Sequence, residues 1–317
     1  MVRERECIVC ENIKSRDLYI SQDRILGISG KFQIKQCLSC GLLFIDPQPS
    51  IKTLMKYYAS DKYFAYSESG KLGPFTTIRE YIIRNFYRKS IIVKVVAFFV
   101  QNSFGMPTYI KNGKVLDIGC GVGDILLLLK KIGFKVYGLE IDKKAVSIAR
   151  KKGLDVRLGT FKATEGYGNN YFDTIRLYHV IEHLNDPVEC LRIARRKLRV
   201  GGELIMSTPN VRCLSRFIFG RYWSSLDSPR HLFIFSPQSL SFLARKEGFH
   251  VTSIEYNTSL GLSSSLHVVI FDLLKIRIRF LDTFIGIVLF YPLEMLLILL
   301  HASDAFTIRI VKTSDEY

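Results

Sequence analysis

No apolar run opens the chain: its first residues, "MVRERECIVC", carry four charges in ten, which excludes a secretory signal within them and leads us to expect a reducing cytosol. The seven cysteines are therefore expected to serve as metal thiolates rather than disulfides. No internal repeat or low-complexity tract interrupts the sequence. Acids are scarce, 29 against 45 lysines and arginines, for a net charge of +16. Such an excess suits an anionic partner, whether nucleic acid, an anionic membrane surface or a phosphorylated substrate, and does not choose among them. Tryptophan occurs once, at Trp223. What remains is globular in composition, with 48% hydrophobic and 23% charged residues in 317, enough for one large α/β domain and a smaller unit.

The smaller unit is expected over residues 1–45. Cys7 and Cys10 form one Cys-x2-Cys pair, and Cys37 and Cys40 a second. Two such knuckles can hold a tetrahedral zinc worth about 10–16 kcal/mol to a segment too small to fold alone. A redox role fits less well, since neither pair precedes a helix in a βαβ unit. Residues 46–112 read as a helical connector that covers the substrate. There Ile82, Ile83, Phe86, Ile91, Val95 and Phe98 keep helical spacing, while Arg79, Arg84, Arg88 and Lys94 crowd another side.

From residue 113 to 317 strand-like runs ("KVLDIG", "KVYGLE", "LDVRLG", "FDTIRLY", "GGELIMS") alternate with helical patterns such as "DKKAVSIARKKG" and "DPVECLRIARRKLRVGG". The alternation predicts an α/β fold with a doubly wound, Rossmann-like parallel sheet. In "VLDIGCGVGD" an apolar strand runs into Gly119, Gly121 and Gly123. Glycines there let a ligand approach the backbone at the strands' carboxyl ends, beside a helix N-terminus. The acid ending the second strand, Glu140, can grip vicinal ribose hydroxyls. A lone Gly-x-Gly-x-Gly is also compatible with a nicotinamide dinucleotide.

Several motifs in order, "VLDIGCGVG", "VYGLEID", "YFDTIRLYHVIEHLNDP", "LRVGGELIMSTPN" and "HLFIFSPQSLSFLARKEGF", resemble class I S-adenosylmethionine-dependent methyltransferases. The group resembled is methyltransferase-23-like and carries an N-terminal zinc-knuckle segment. The resemblance implies a seven-stranded sheet whose last strand is antiparallel. It also implies that Asp117, Gly119, Cys120, Gly121 and Gly123 hold the methionine end of S-adenosylmethionine. Glu140 and Ile141 would hold its ribose, Thr160 and Phe161 its adenine edge, and His179 would wall the cofactor. Many relatives have an acid where this chain has Thr160.

His179, Glu182 and His183 stand at i, i+3 and i+4, which on a helical turn shares one face. Packing, a general base (His179, His183 or His231), and a divalent metal bound by His179, Glu182, His183 and His231 all fit; the last resembles ubiquinone-pathway and small-RNA O-methyltransferases. Tyr222, Trp223 and Arg230 lie in a segment placed as a substrate lid, where an aromatic with arginine suits a sugar ring and its phosphate; a self-packed lid fits equally. Residues 258–303 are expected as an apolar helical insertion before the last strand. Within it "TFIGIVLFYPLEMLLILL" is long enough to nominate a membrane span. Glu294 and the strand-like "AFTIRIVK" beyond it argue instead for a buried or dimerising insertion, or for a hairpin lying on a membrane.

The expected activity is methyl transfer to O or C of a small-molecule, sugar or polysaccharide acceptor, lipid-linked in one version. The enzyme would be cytoplasmic, or peripheral on the inner membrane face. An RNA methyltransferase is the alternative, favoured by the charge and the zinc module; against it, the fourth strand lacks the Asn/Asp-Pro-Pro-aromatic signature of base amino methylation. A scaffold that has lost catalysis is the non-enzymatic alternative.

Overall fold

The structure, a computed structural model, describes residues 5–24, 26–58, 81–82, 85–87, 105–274 and 284–314. Near the N-terminus β1 (Ser15–Ser21), β2 (Phe32–Cys37) and β3 (Leu43–Ile45) form an antiparallel sheet. Its fourth strand comes from far along the chain: β9 (Phe233–Ile234) pairs with β3, Phe44 opposite Phe233. Before β1 and after β2 the Cys-x2-Cys turns close through Glu11 N–H to Cys7 O (2.8 Å) and Gly41 N–H to Cys37 O (3.1 Å). Each turn has a left-handed residue after its second cysteine, Glu11 at φ 60° and Gly41 at φ 76°. The four sulfurs lie within 4.8 Å of one another, the packing a tetrahedral zinc with bonds of about 2.3 Å requires.

The large sheet has seven strands. The first three in the chain are β4 (Lys114–Ile118), β5 (Lys135–Glu140) and β6 (Asp155–Leu158). They are followed by β7 (Phe172–Tyr178), β8 (Leu198–Pro209), β10 (Phe249–Asn257) and β11 (Ala305–Lys312). The spatial order is β10-β11-β8-β7-β4-β5-β6. Neighbours from β8 to β6 are parallel, and β11 runs antiparallel to both β8 and β10. This is the expected doubly wound sheet with its last strand reversed. The central strand β4 is buried at Val115, Leu116, Asp117 and Ile118, as a strand covered on both faces must be.

Crossover helices α2 (Asp124–Ile132), α3 (Lys143–Lys151) and α4 (Pro187–Lys197) cover the sheet. Asp142 and Asp186 cap α3 and α4, accepting from the Ala145 and Glu189 amides. The helix read through "KLRVGG" stops earlier: Leu198 is extended and its residues pass into β8. A capping box at Ser236 and Ser239 starts α6 (Pro237–Lys246). Of two short helices, α1 (Ile51–Lys56) borders the cavity at the sheet's carboxyl edge, and α5 (Leu214–Phe219) follows the end of β8.

One core joins both sheets, packing Val9, Leu42 and Phe44 with Phe233, Phe235, Leu177 and Phe306. Of the helical connector, Ile82 is buried and Phe86 and Tyr87 pack beside Phe134; Arg79, Ile83, Arg84, Arg88, Ile91, Lys94, Val95 and Phe98 lie outside the described residues. The apolar insertion forms α7 (Gly261–Leu274) and α8 (Phe284–Leu299), which leave β10 and return to β11. Among the described residues no helix is long and apolar enough to cross a membrane.

Candidate active site

The carboxyl ends of β4, β5 and β7 open into a cavity of about 1730 Å³. That exceeds the roughly 300–1,000 Å³ usual for one small molecule, so cofactor and acceptor fit together. At one end the lining is Asp117, Gly119, Cys120, Gly121, Glu140, Ile141, Thr160 and Phe161; His179 stands between, and Tyr58, His183, Trp223, His231 and His267 line the other end.

Two of the three glycines are fixed by the turn itself. Gly119 (φ 74°) would place a Cβ 2.5 Å from the Val180 side chain, and Gly123 (φ 79°) one 2.5 Å from that of Leu154. The left-handed backbone and these neighbours exclude any side chain. Gly123 leaves the start of α2 without a side-chain cap, so its first amides remain open to a ligand.

Glu140 is buried at the end of β5. Its Oε1 accepts from the Ile141 (2.7 Å) and Asp142 (3.0 Å) amides, and its Oε2 from Gly121 (2.9 Å). Burial pushes its pKa up, opposed by these amides. A carboxylate offers about four lone-pair sites. One on Oε2 remains for a ribose hydroxyl, so the expected grip on two hydroxyls needs an amide to give way. Thr160 is exposed and its hydroxyl caps the turn at Lys162. Asp117, buried, pairs with Arg176 Nη1 at 3.0 Å. Burial raises its pKa and Arg176 opposes the rise. Arg176, itself 2% exposed, donates from Nε to the Gly105 carbonyl. It was not singled out from sequence, although a lone cation inside the apolar "FDTIRLY" is a signal.

The i, i+3, i+4 helical turn expected after β7 does not form. His179 is left-handed (φ 53°) and residues 181–183 make a single 3-10 turn. His179 thus leaves the ligand cluster: its Nδ1–H donates to Glu182 Oε1 at 3.1 Å. Thr208 donates to Glu182 Oε2 at 3.0 Å. The groups brought within 4.8 Å of one another are those of Glu182, His183 and His231. The His183 Nδ1 lies 3.0 Å from both the Arg230 carbonyl and the Tyr58 hydroxyl. A carbonyl only accepts, so Nδ1 carries the proton and Nε2 keeps its lone pair. His231 Nδ1 likewise donates to the Ser225 carbonyl at 2.7 Å. Burial would raise the pKa of the fully buried Glu182, but the His179 hydrogen bond and the surrounding histidines bring it down to about 2. Burial, then His231, lowers His183 to about 4. A buried carboxylate and two imidazoles, each imidazole fixed by an Nδ1–H hydrogen bond to a backbone carbonyl, make a suitable donor set for a divalent cation.

The lid residues require correction. Arg230 is completely buried, its guanidinium held by Asp227 (2.9 Å from Nε), Asp23 (2.7 Å) and the Tyr57 carbonyl (3.2 Å). It does not line the cavity and has become a structural tie to the N-terminal sheet. Tyr222 packs under Arg24 and Arg221, also off the lining. Trp223 lines the cavity although it is 2% exposed.

A glycine turn after β4, an acid closing β5 and one reversed strand in an otherwise parallel sheet define the class I methyltransferase architecture. A family model described as a methyltransferase domain, Methyltransf_23, matches residues 87–254; the chain belongs to this family of S-adenosylmethionine-dependent methyltransferases. It is similar to the ubiquinone biosynthesis O-methyltransferase of Xanthomonas oryzae pv. oryzae (strain PXO99A), 30% identical over 105 residues, covering 31% of this chain and 44% of that protein. The protein of that name from Cereibacter sphaeroides (strain ATCC 17029 / ATH 2.4.9) is 28% identical over 173 residues, 51% of this chain and 70% of the relative. The chain thus spans less than half the length of the first relative. Among solved structures it is similar to a SAM dependent methyltransferase from Archaeoglobus fulgidus, 20% identical with a TM-score of 0.46, over 73% of this chain and 99% of that one.

Proposed function

We propose that the protein methylates an oxygen, or an acidic carbon, of a small-molecule or saccharide acceptor. The observation that carries this reading is the Glu182, His183 and His231 cluster, whose imidazoles both spend Nδ1–H on backbone carbonyls. Deprotonation is what separates a hydroxyl or acidic-carbon acceptor from an amine, and this cluster is built to promote it. The relatives named as ubiquinone biosynthesis O-methyltransferases support an oxygen acceptor.

Methyl transfer from a sulfonium is an in-line displacement whose leaving group comes with the cofactor, so the protein chiefly positions and excludes water. Correct placement is worth about 7–11 kcal/mol of the barrier. In our reading Asp117, fixed by Arg176, and the Gly119–Gly123 turn with Cys120 hold the methionine end. Glu140 and Ile141 take the ribose, and the Thr160 and Phe161 backbone the adenine. Glu182, His183 and His231 would hold a divalent cation, which supplies charge that lowers the pKa of an acceptor oxygen. His179 and Thr208 aim Glu182; Tyr58 seats His183; Trp223 walls the acceptor. Cys7, Cys10, Cys37 and Cys40 hold a structural zinc in a module over residues 1–45. Residues 46–112 cover the substrate, and 113–317 form the methyltransferase domain.

Manganese titration tests the cluster without knowledge of the acceptor. One Mn²⁺ per chain is expected beyond any zinc, weakened at least tenfold in His231→Ala. With labelled S-adenosylmethionine and a panel of hydroxylated saccharide and phenolic acceptors, label should appear as a methyl ether and be lost on chelation. No Mn²⁺ binding, with chelator-resistant transfer that rises through one pKa, would replace the cation by a histidine base.

A further inference from the structure

The insertion touches the cavity through residues of α7, and much of its remaining described surface is apolar. Helix α8 buries Glu294, Met295, Leu297 and Ile298 and exposes Leu289, Leu293, Leu296, Leu299 and the following Leu300. Both of its faces are apolar, so burial and not polarity distinguishes them. Helix α7 packs against α8 and against α5, and exposes Leu273 and Leu274 at its end. On α5, Phe217 is 69% and Ile218 59% exposed. An apolar surface spread over three contiguous helices is more than the scattered exposed side chains of an ordinary monomer.

The charges around it are one-sided. Exposed Arg212 and Arg221 flank α5. The acids on the three helices are two: Asp272 is paired with Arg24 at 3.5 Å and Glu294 is fully buried. In sequence Lys275, Arg277, Arg279 and one acid, Asp282, lie between α7 and α8, outside the described residues. A two-fold contact between copies would enclose Arg212 and Arg221 where both acids of the three helices are already paired or buried. A layer of anionic head groups over hydrocarbon matches both the arginines and the leucines.

We propose that α5, α7 and α8 form an interfacial surface that seats the protein on an anionic lipid bilayer without crossing it. The 16 residues of α8 extend about 24 Å at 1.5 Å each, short of a hydrocarbon core of about 30 Å. The surface also adjoins the acceptor end of the cavity. Ser264, His267 and Val268 of α7 line it, and Leu273 follows Ser264 by about 14 Å along the same helix.

The test is flotation of the full chain with vesicles of phosphatidylcholine containing phosphatidylglycerol, against phosphatidylcholine alone. Binding to the anionic vesicles should be released by salt and weaken about fivefold in each of Arg212→Ala and Arg221→Ala. Phe217→Ser with Leu296→Ser, both at exposed positions, should weaken it at least tenfold, while calorimetry shows unchanged S-adenosylmethionine affinity and hence an intact fold. Failure to float with anionic vesicles overturns the proposal. So does a dimer, seen by analytical ultracentrifugation, that ignores vesicles and that the same serine substitutions dissociate.

Discussion

Arg176 and Asp117 show what single residues decide in this molecule. Their buried pair (3.0 Å) sits beneath the glycine turn, and removing one charge strands the other. Arg176→Met should therefore cost about 3–5 kcal/mol of stability, and Asp117→Asn added to it should recover part of that loss. Equal denaturation midpoints for wild type and Arg176→Met would show that the pair does not hold the turn. Sequence made Gly119, Gly123 and Glu140 legible because strand-to-helix turns admit few solutions. It left Arg176 unread and assigned Arg230 to the substrate, because exposure decides a charged residue's role and sequence does not display it. Asp23, the partner that buries Arg230, lies in the N-terminal segment, too distant in sequence for spacing to reveal.

Among the elements, the insertion is tied to the sheet by a shared proton. The Thr258 hydroxyl lies 2.7 Å from both Glu294 Oε2 and Asp304 Oδ1 and accepts from the Leu260 amide. It has one proton to donate, so both contacts are hydrogen bonds only if one acid is protonated. Burial raises the pKa of both Glu294 and Asp304, their proximity adding to the shift of Glu294. Folded values above the unfolded ones mean stability that is full below the unfolded carboxylate range and lost as pH rises through the folded values. Glu294→Gln, whose amide imitates the protonated acid, should be more stable than wild type at pH 8, on the order of 1–2 kcal/mol, and no more stable at pH 4. Parallel melting curves at the two pH values would contradict this. Helices and strands with strong periodicity were legible here, and the two helices of the insertion were legible from their length and apolar composition. The turn after β7 was not, since the left-handed His179 reflects its tertiary setting and no local pattern announces it.

At the scale of the whole molecule the two sheets depend on each other. Strand β9 completes the N-terminal sheet two residues after His231, a pairing that sequence periodicity could not foresee because it joins residues nearly two hundred apart. Cys37→Ser should lower zinc from one atom per chain to none and expose the first 45 residues to protease. It should also weaken Mn²⁺ binding at His231 more than it weakens cofactor binding. Absence of metal from protein purified under reducing conditions would refute the zinc site. The central claim, that the cavity's first occupant is S-adenosylmethionine held at the ends of β4 and β5, is tested most directly by calorimetry on wild type and Glu140→Ala. Loss of a charged acceptor and of the Gly121 tie should cost at least tenfold in affinity, about 1.4 kcal/mol or more. Unchanged S-adenosylmethionine affinity in Glu140→Ala, or wild-type binding of NAD in its place, would contradict the account.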